Sequence, residues 1–239
     1  MKQQQQKVIN NDRLGHSRYL MFCGILGYTV CFICDLMLEN LPNGILTWEA
    51  LKDYEKFKQV TEGTTTKRYA LSAVIGVNSM IFITLGLMGI SEYVHMYSKV
   101  ASEIMLVGGI SATVLATGFH FIFNLMPWFF LTLHATKEGF ELKEKFVEDH
   151  KFILQIEQIC YMIFNMTQTI VLFLGKTPLP RWTAFVNIGF IYLALDYFNV
   201  PGGCNFAGAI MTTSFFILTK IYSSNNKNNT NKKNNKKKE

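Results

Sequence analysis

His120 stands inside a stretch of 33 residues, 104–136, that holds no Asp, Glu, Lys or Arg. An imidazole is the side chain whose ordinary pKa lets it take up and return a proton near neutrality. Three carboxyl groups, Asp35, Glu157 and Asp196, fall inside other apolar stretches. Ionisable groups in such settings are costly to keep and face a partner or a cavity. The amides Asn124, Asn165, Gln168 and Asn205 and the phenol Tyr161 accompany them. Glu157, Tyr161, Asn165 and Gln168 recur at i, i+4, i+8 and i+11, one face of a helix, and His120 and Asn124 are also one turn apart.

The chemistry open to this set is narrow. A carboxylate fixes the imidazole tautomer and raises its basicity. A neutral histidine then accepts a proton from water or from a lipid hydroxyl, or relays one across a membrane. The expected acid–base set is therefore His120, Glu157, Asp35 and Asp196, with Asn124, Tyr161, Asn165, Gln168 and Asn205 contacting a ligand. A second reading stays open: these groups sit near helix ends, reach interfacial water and hold a bundle together. No G-x-S-x-G, H-E-x-x-H or P-loop is present. No metal site is read from the spacing, and no cofactor is specified. Cys31-Phe32-Ile33-Cys34 is a C-x-x-C beside Asp35, reminiscent of membrane thiol oxidoreductases, but inside a helix cysteine serves mostly as a small apolar residue.

These residues need elements to position them. The 239 residues are 49% apolar and only 17% charged, against about 25% charged in ordinary soluble domains. A span of about 20 apolar residues crosses a bilayer core and must be helical there. Six segments qualify, near 19–38, 71–90, 104–125, 152–174, 182–198 and 206–221. The expected fold is all-α, a polytopic membrane bundle of six transmembrane helices. It excludes a soluble enzyme and a disulfide-stapled secreted domain. Pro127 is expected to kink or end the third span. Glycine and alanine at 24, 27, 86, 89, 108, 109, 112 and 116 suit close helix packing.

Residues 1–18 read as a disordered N-terminal tail, 19–222 as the membrane domain, and the Asn/Lys-rich 223–239 as a disordered tail. The N-terminus lacks a cleavable-signal pattern and reads as a retained anchor. Lys and Arg number 14 on the side holding both termini and 9 on the other. That bias places both termini in the cytoplasm. Lys236 and Lys237 resemble a di-lysine endoplasmic-reticulum retrieval signal, which coat proteins would read. The expected partners are thus the bilayer, a lipid or small-molecule ligand and that coat; nucleic acid is not expected. In the first connection, Trp48, Leu51, Tyr54 and Phe57 recur every three residues behind Thr47, an amphipathic helix with an N-cap. Residues 137–150 read either likewise or as an extension of the fourth span.

The run Gly175-Lys176-Thr177-Pro178-Leu179-Pro180-Arg181-Trp182, with Gly203-Cys204-Asn205, Cys34-Asp35-Leu36 and a mid-span histidine at 120, resembles an uncharacterised multi-pass membrane family found largely in bacteria. The resemblance covers 18–222 and implies a fold and site positions, with no activity to carry over. Three functions stay in play. One is an outward-facing polar cavity that binds or modifies a lipid or small polar molecule. The others are a proton-coupled transporter and a non-catalytic scaffold.

Overall fold

The computed structural model describes the backbone of residues 2–198 and 200–235 and the side chains of 11–198 and 200–222. Lys236 and Lys237 lie outside the described residues. The chain is almost wholly helical: α1 (Lys2–Glu39), α2 (Trp48–Lys52), α3 (Tyr54–Thr61), α4 (Thr66–His95), α5 (Lys99–Thr132), α6 (Lys137–Phe173), α7 (Ile188–Tyr197) and α8 (Gly203–Asn235). A two-residue antiparallel pairing, Asn40–Leu41 with Gly44–Ile45, follows α1, and a 3-10 turn, Arg181–Phe185, precedes α7. The sequence boundaries at 18/19 and 222/223 fall inside α1 and α8.

Four stretches are long and apolar enough to cross a membrane: Asn11–Glu39, Thr66–His95, Lys99–Thr132 and Gly203–Tyr222. They match the first, second, third and sixth expected spans. Much of their apolar surface faces outward, as at Val74, Ile81, Val107 and Val114, each more than 60% exposed. Water would not tolerate so continuous an apolar surface, and a bilayer would. The fourth expected span lies within α6, which is long enough, but Glu157 and the amides Gln155, Gln158, Asn165 and Gln168 make it less apolar than the others. The fifth is corrected. Residues 182–198 are not one helix but the 3-10 turn followed by ten-residue α7, which at 1.5 Å per residue covers about half a bilayer core. Six full-length spanning helices are therefore not confirmed among the described residues. Pro127 does not end α5; the helix runs on to Thr132.

Small residues set the packing of α1 on α4. A Cβ placed on Gly24 would fall 2.4 Å from the Gly86 Cα, and one on Gly89 would meet the Ser17 carbonyl. Ser17 Oγ donates to the Gly89 carbonyl at 2.8 Å. Gly108 and Gly109 admit the Cys160–Phe164 turn of α6 onto α5 in the same way. α8 lies antiparallel along α1: Arg18 donates to the Thr219 carbonyl at one end, and Asn205 reaches Asp35 at the other. The helices pack in the order α8–α1–α4–α5–α6, while α6 and α8 are not packed as neighbours. The 3-10 turn against α6 and α7 against α8 span that gap.

The connection after α1 caps one end of the bundle. The amphipathic segment is a pair of short helices rather than one: Thr47 caps α2 at the Ala50 amide, and Asp53 caps α3 at the Lys56 amide. Leu51 and Phe57 join Leu38, Tyr69, Met126, Phe130 and Phe140 in a second apolar core. Lys143, on the first turns of α6, is buried completely within it. Its ammonium donates to the Leu51 carbonyl at the end of α2, pairs with Glu144, and lies 4.0 Å from the Phe140 ring. Burial holds this ammonium below the ordinary lysine value, with Glu144 opposing the shift. Residues 137–150 thus extend the helix carrying the fourth span and clamp the cap to it.

Candidate functional site

Asp35 leaves α1 on the face that meets α5 and α8. Its carboxyl Oδ1 lies 3.7 Å from His120 Nδ1, and its Oδ2 accepts from Asn205 Nδ2 at 2.7 Å. Asp35 and His120 are both more than nine-tenths buried. Gly202 makes this possible. Its φ of +63° turns the chain into α8, and its amide donates to Glu39 Oε2 at 2.9 Å. A Cβ there would strike the Phe32 ring at 2.8 Å and Asp35 Cβ at 3.0 Å. The start of α8 can therefore close over Asp35 only without a side chain at 202.

His120 is fixed from its other side. A Cβ on Gly76 would sit 1.8 Å from His120 Nε2, so that nitrogen rests against the bare backbone of α4. The Nδ1 edge is left to face α1. There it finds not only Asp35 but Cys31, one turn earlier and fully buried. One donor atom from each of Cys31, Asp35 and His120 lies within 4.8 Å of the other two. Asn124 donates to the His120 carbonyl at 2.9 Å, which stiffens this turn of α5.

A second group lies beside the first. Glu157 and Tyr161 on α6, Tyr28 on α1 and Cys204 on α8 face one another closely enough to interact electrostatically. Cys204 also feels Asp35 and so links the two groups. Tyr28 enters this position because Gly208 has no side chain; a Cβ there would lie 2.1 Å from the Tyr28 ring. Six buried polar atoms among the described residues lack a hydrogen-bond partner: Tyr28 Oη, His120 Nε2, Asn124 Oδ1, Glu157 Oε2, Asn165 Oδ1 and Gln168 Oε1.

The lower part of the α6 stripe has a structural task. Gln168 Nε2 donates to the Val186 carbonyl at 3.0 Å, and Thr169 Oγ1 to the Ala184 carbonyl at 3.3 Å. Asn187 Nδ2 donates to Thr169 Oγ1 and to the Ala184 carbonyl, while its Oδ1 caps α7 at the Phe190 amide. Non-helical backbone at membrane depth is stable only where protein satisfies it. These side chains supply the partners for the broken segment. Leu179, Thr183 and Ala184 are buried beneath them, so the Gly175–Trp182 motif leads into a segment packed against α6.

Of the expected site residues, the structure joins Asp35, His120, Asn124 and Asn205 into one group and Glu157 with Tyr161 into its neighbour. Asn165 and Gln168 sit lower, where Gly189 and Val186 pack against α6. Asp196 is apart: it is exposed on α7 and accepts from Tyr192 Oη at 3.3 Å. Cys31, Cys204, Tyr28 and Gly76 were not among the expected site residues. For Cys31 a signal existed, since it precedes Asp35 by one helical turn.

A model of the family described as "Family of unknown function (DUF6796)" matches residues 1–222, and the chain belongs to that family. This agrees with the expectation of an uncharacterised family. No curated protein and no solved structure matches the chain.

Proposed function

We propose that this chain is an integral membrane protein whose buried polar layer, centred on Asp35 and His120, binds a small polar molecule or a lipid headgroup and exchanges a proton with it. One observation carries the reading. Three of the six unpartnered polar atoms, Tyr28 Oη, Asn124 Oδ1 and Glu157 Oε2, belong to groups around that pair or the cluster beside it, on α1, α5 and α6. Each unsatisfied buried group costs about 1–3 kcal/mol, so a hydrogen-bonding occupant stabilises the layer. His120, neutral at rest, accepts the proton at Nδ1. Asp35, held by Asn205, stabilises the resulting imidazolium. The charge bias favours both termini in the cytoplasm, and the lysines at 236 and 237 an endoplasmic-reticulum membrane.

A proton-coupled transporter is a second reading, favoured by the interrupted 3-10–α7 segment. Broken helices at membrane depth are a recurrent feature of transporter sites.

The test is native mass spectrometry of the gently solubilised chain beside His120→Ala/Glu157→Ala. A discrete non-protein adduct, lost in the folded variant, supports the site. Equal spectra and equal thermal stability overturn it and leave a scaffold. Substrate-dependent flux in proteoliposomes that disappears in Glu157→Gln selects the transporter.

A further inference from the structure

We infer that Cys31, Asp35 and His120 form a binding site for a single transition-metal ion of the zinc class inside the helix bundle. The site shares residues with the function proposed above but does not rest on it. An ion on His120 Nδ1 takes the lone pair that would otherwise accept the proton, so proton exchange at that nitrogen belongs to the metal-free chain.

The donor set is the first argument. One sulfur, one imidazole nitrogen and one carboxylate oxygen, on α1 and α5, have ligand atoms all within 4.8 Å of one another. Thiolate and imidazole together select zinc-like ions over magnesium or calcium, which prefer oxygen alone. The spacing is the second argument. The 3.7 Å from His120 Nδ1 to Asp35 Oδ1 is too long for a hydrogen bond. It is close to the roughly 3.4–3.7 Å between two donors on one tetrahedral ion, given metal–ligand bonds of about 2.0–2.3 Å. The widest pair must close by about 1 Å to reach that geometry, which side-chain rotation of Cys31 supplies.

The surroundings are the third argument. Metal-binding side chains are held by partners of their own. Asn205 Nδ2 donates to the Asp35 oxygen that does not face His120. Gly76 presses on Nε2, which leaves Nδ1 as the nitrogen presented to α1. The ring is thus aimed before any ion arrives. Cys31, Asp35 and His120 are all buried, and no Lys or Arg is paired with Asp35 among the described contacts. A dication there is balanced by the Asp35 carboxylate and the Cys31 thiolate. Binding releases the thiol proton to solvent. Three protein ligands leave one coordination position open to water or a fourth donor.

The test uses the full chain, solubilised, stripped with chelator and refilled with Co²⁺ as a spectroscopic substitute. The expected result is one ion per chain with a thiolate-to-cobalt charge-transfer band. Cys31→Ser and His120→Gln should each weaken binding at least about tenfold, and Cys31→Ser should lose the band. Cys31→His keeps one ion per chain without the band, which separates loss of a ligand from loss of the fold. Cys34→Ser, three residues from Cys31, should behave as the parent. Less than stoichiometric cobalt in the parent overturns the assignment. So does a charge-transfer band that survives in Cys31→Ser or disappears in Cys34→Ser.

Discussion

Replacing Gly76 with alanine moves His120 while leaving the bundle nearly intact. The new methyl would lie 1.8 Å from Nε2, 2.4 Å from Cδ2 and 2.8 Å from Cε1 of the ring. Carbon and nitrogen atoms rest about 3.5 Å apart, so the ring must withdraw by roughly 1.5–2 Å. The ring is the free end of its side chain, and it can swing without moving α5. Two energies then oppose each other. Alanine in place of glycine inside a helix gains about 1 kcal/mol. Overpacking a buried site costs about 1–3 kcal/mol. The net loss is about 0–2 kcal/mol, or up to about 8 °C in the unfolding midpoint of a chain this size. The consequence for the site is far larger, because a 1 Å misplacement of a positioned group costs about a hundredfold. The assay is thermal unfolding and native mass spectrometry on one preparation, with Gly118→Ala as control, since nothing lies within 4 Å of a Cβ at 118. Gly76→Ala should unfold within about 8 °C of the parent and lose its bound species, while Gly118→Ala keeps both. A folded Gly76→Ala that retains the adduct at parental occupancy refutes the placement of His120 at the site.

Gly24→Leu should separate α1 from α4, because even its Cβ meets the backbone of Gly86 at 2.4 Å; a fall in unfolding midpoint above about 8 °C, for a cost beyond about 3 kcal/mol, checks it. Asn187→Ala removes the α7 cap and one of two donors to the Ala184 carbonyl, so it should cost about 1–3 kcal/mol and admit protease at the segment between α6 and α7. Lys143 gives a pH test. Burial lowers its folded-state pKa below the ordinary 10.5, so the penalty for keeping it charged is full below the folded value. Stability relative to Lys143→Met should therefore rise as pH climbs from that value toward 10.5, read as the difference between the two unfolding midpoints. A difference that is flat or falls over that range contradicts the burial of Lys143.

The helical class was legible because charge is absent over 71–90 and 104–136, and those runs became α4 and α5. The polar layer was legible from alternating span directions, which put Asp35, Asn124, Glu157, Asp196 and Asn205 at one depth with His120 beneath them. Depth carries no direction around a helix axis, and this is why Asp196 was grouped with them yet faces outward with Tyr192. Hydropathy also misread 182–198 as a full span. The run is apolar, but Asn187 and the backbone partners on α6 mark a break that only the packing reveals. Gly76 drew no reading from the sequence, because its role lies in the ring that abuts it. The polar stripe on α6 was legible as one face, but its division between an upper part, Glu157 and Tyr161, beside Tyr28 and Cys204 and a backbone-satisfying lower part required the fold.

The most direct test of the central claim is an experimental structure of the chain in a lipid nanodisc, at a resolution that shows bound small molecules. The account predicts non-protein density larger than an ion within hydrogen-bond distance of Glu157 Oε2 and at least one of Tyr28 Oη and Asn124 Oδ1. Contradiction would be a closed layer in which Glu157, Tyr28 and Asn124 bond to one another and only protein fills the space between α1, α5 and α6.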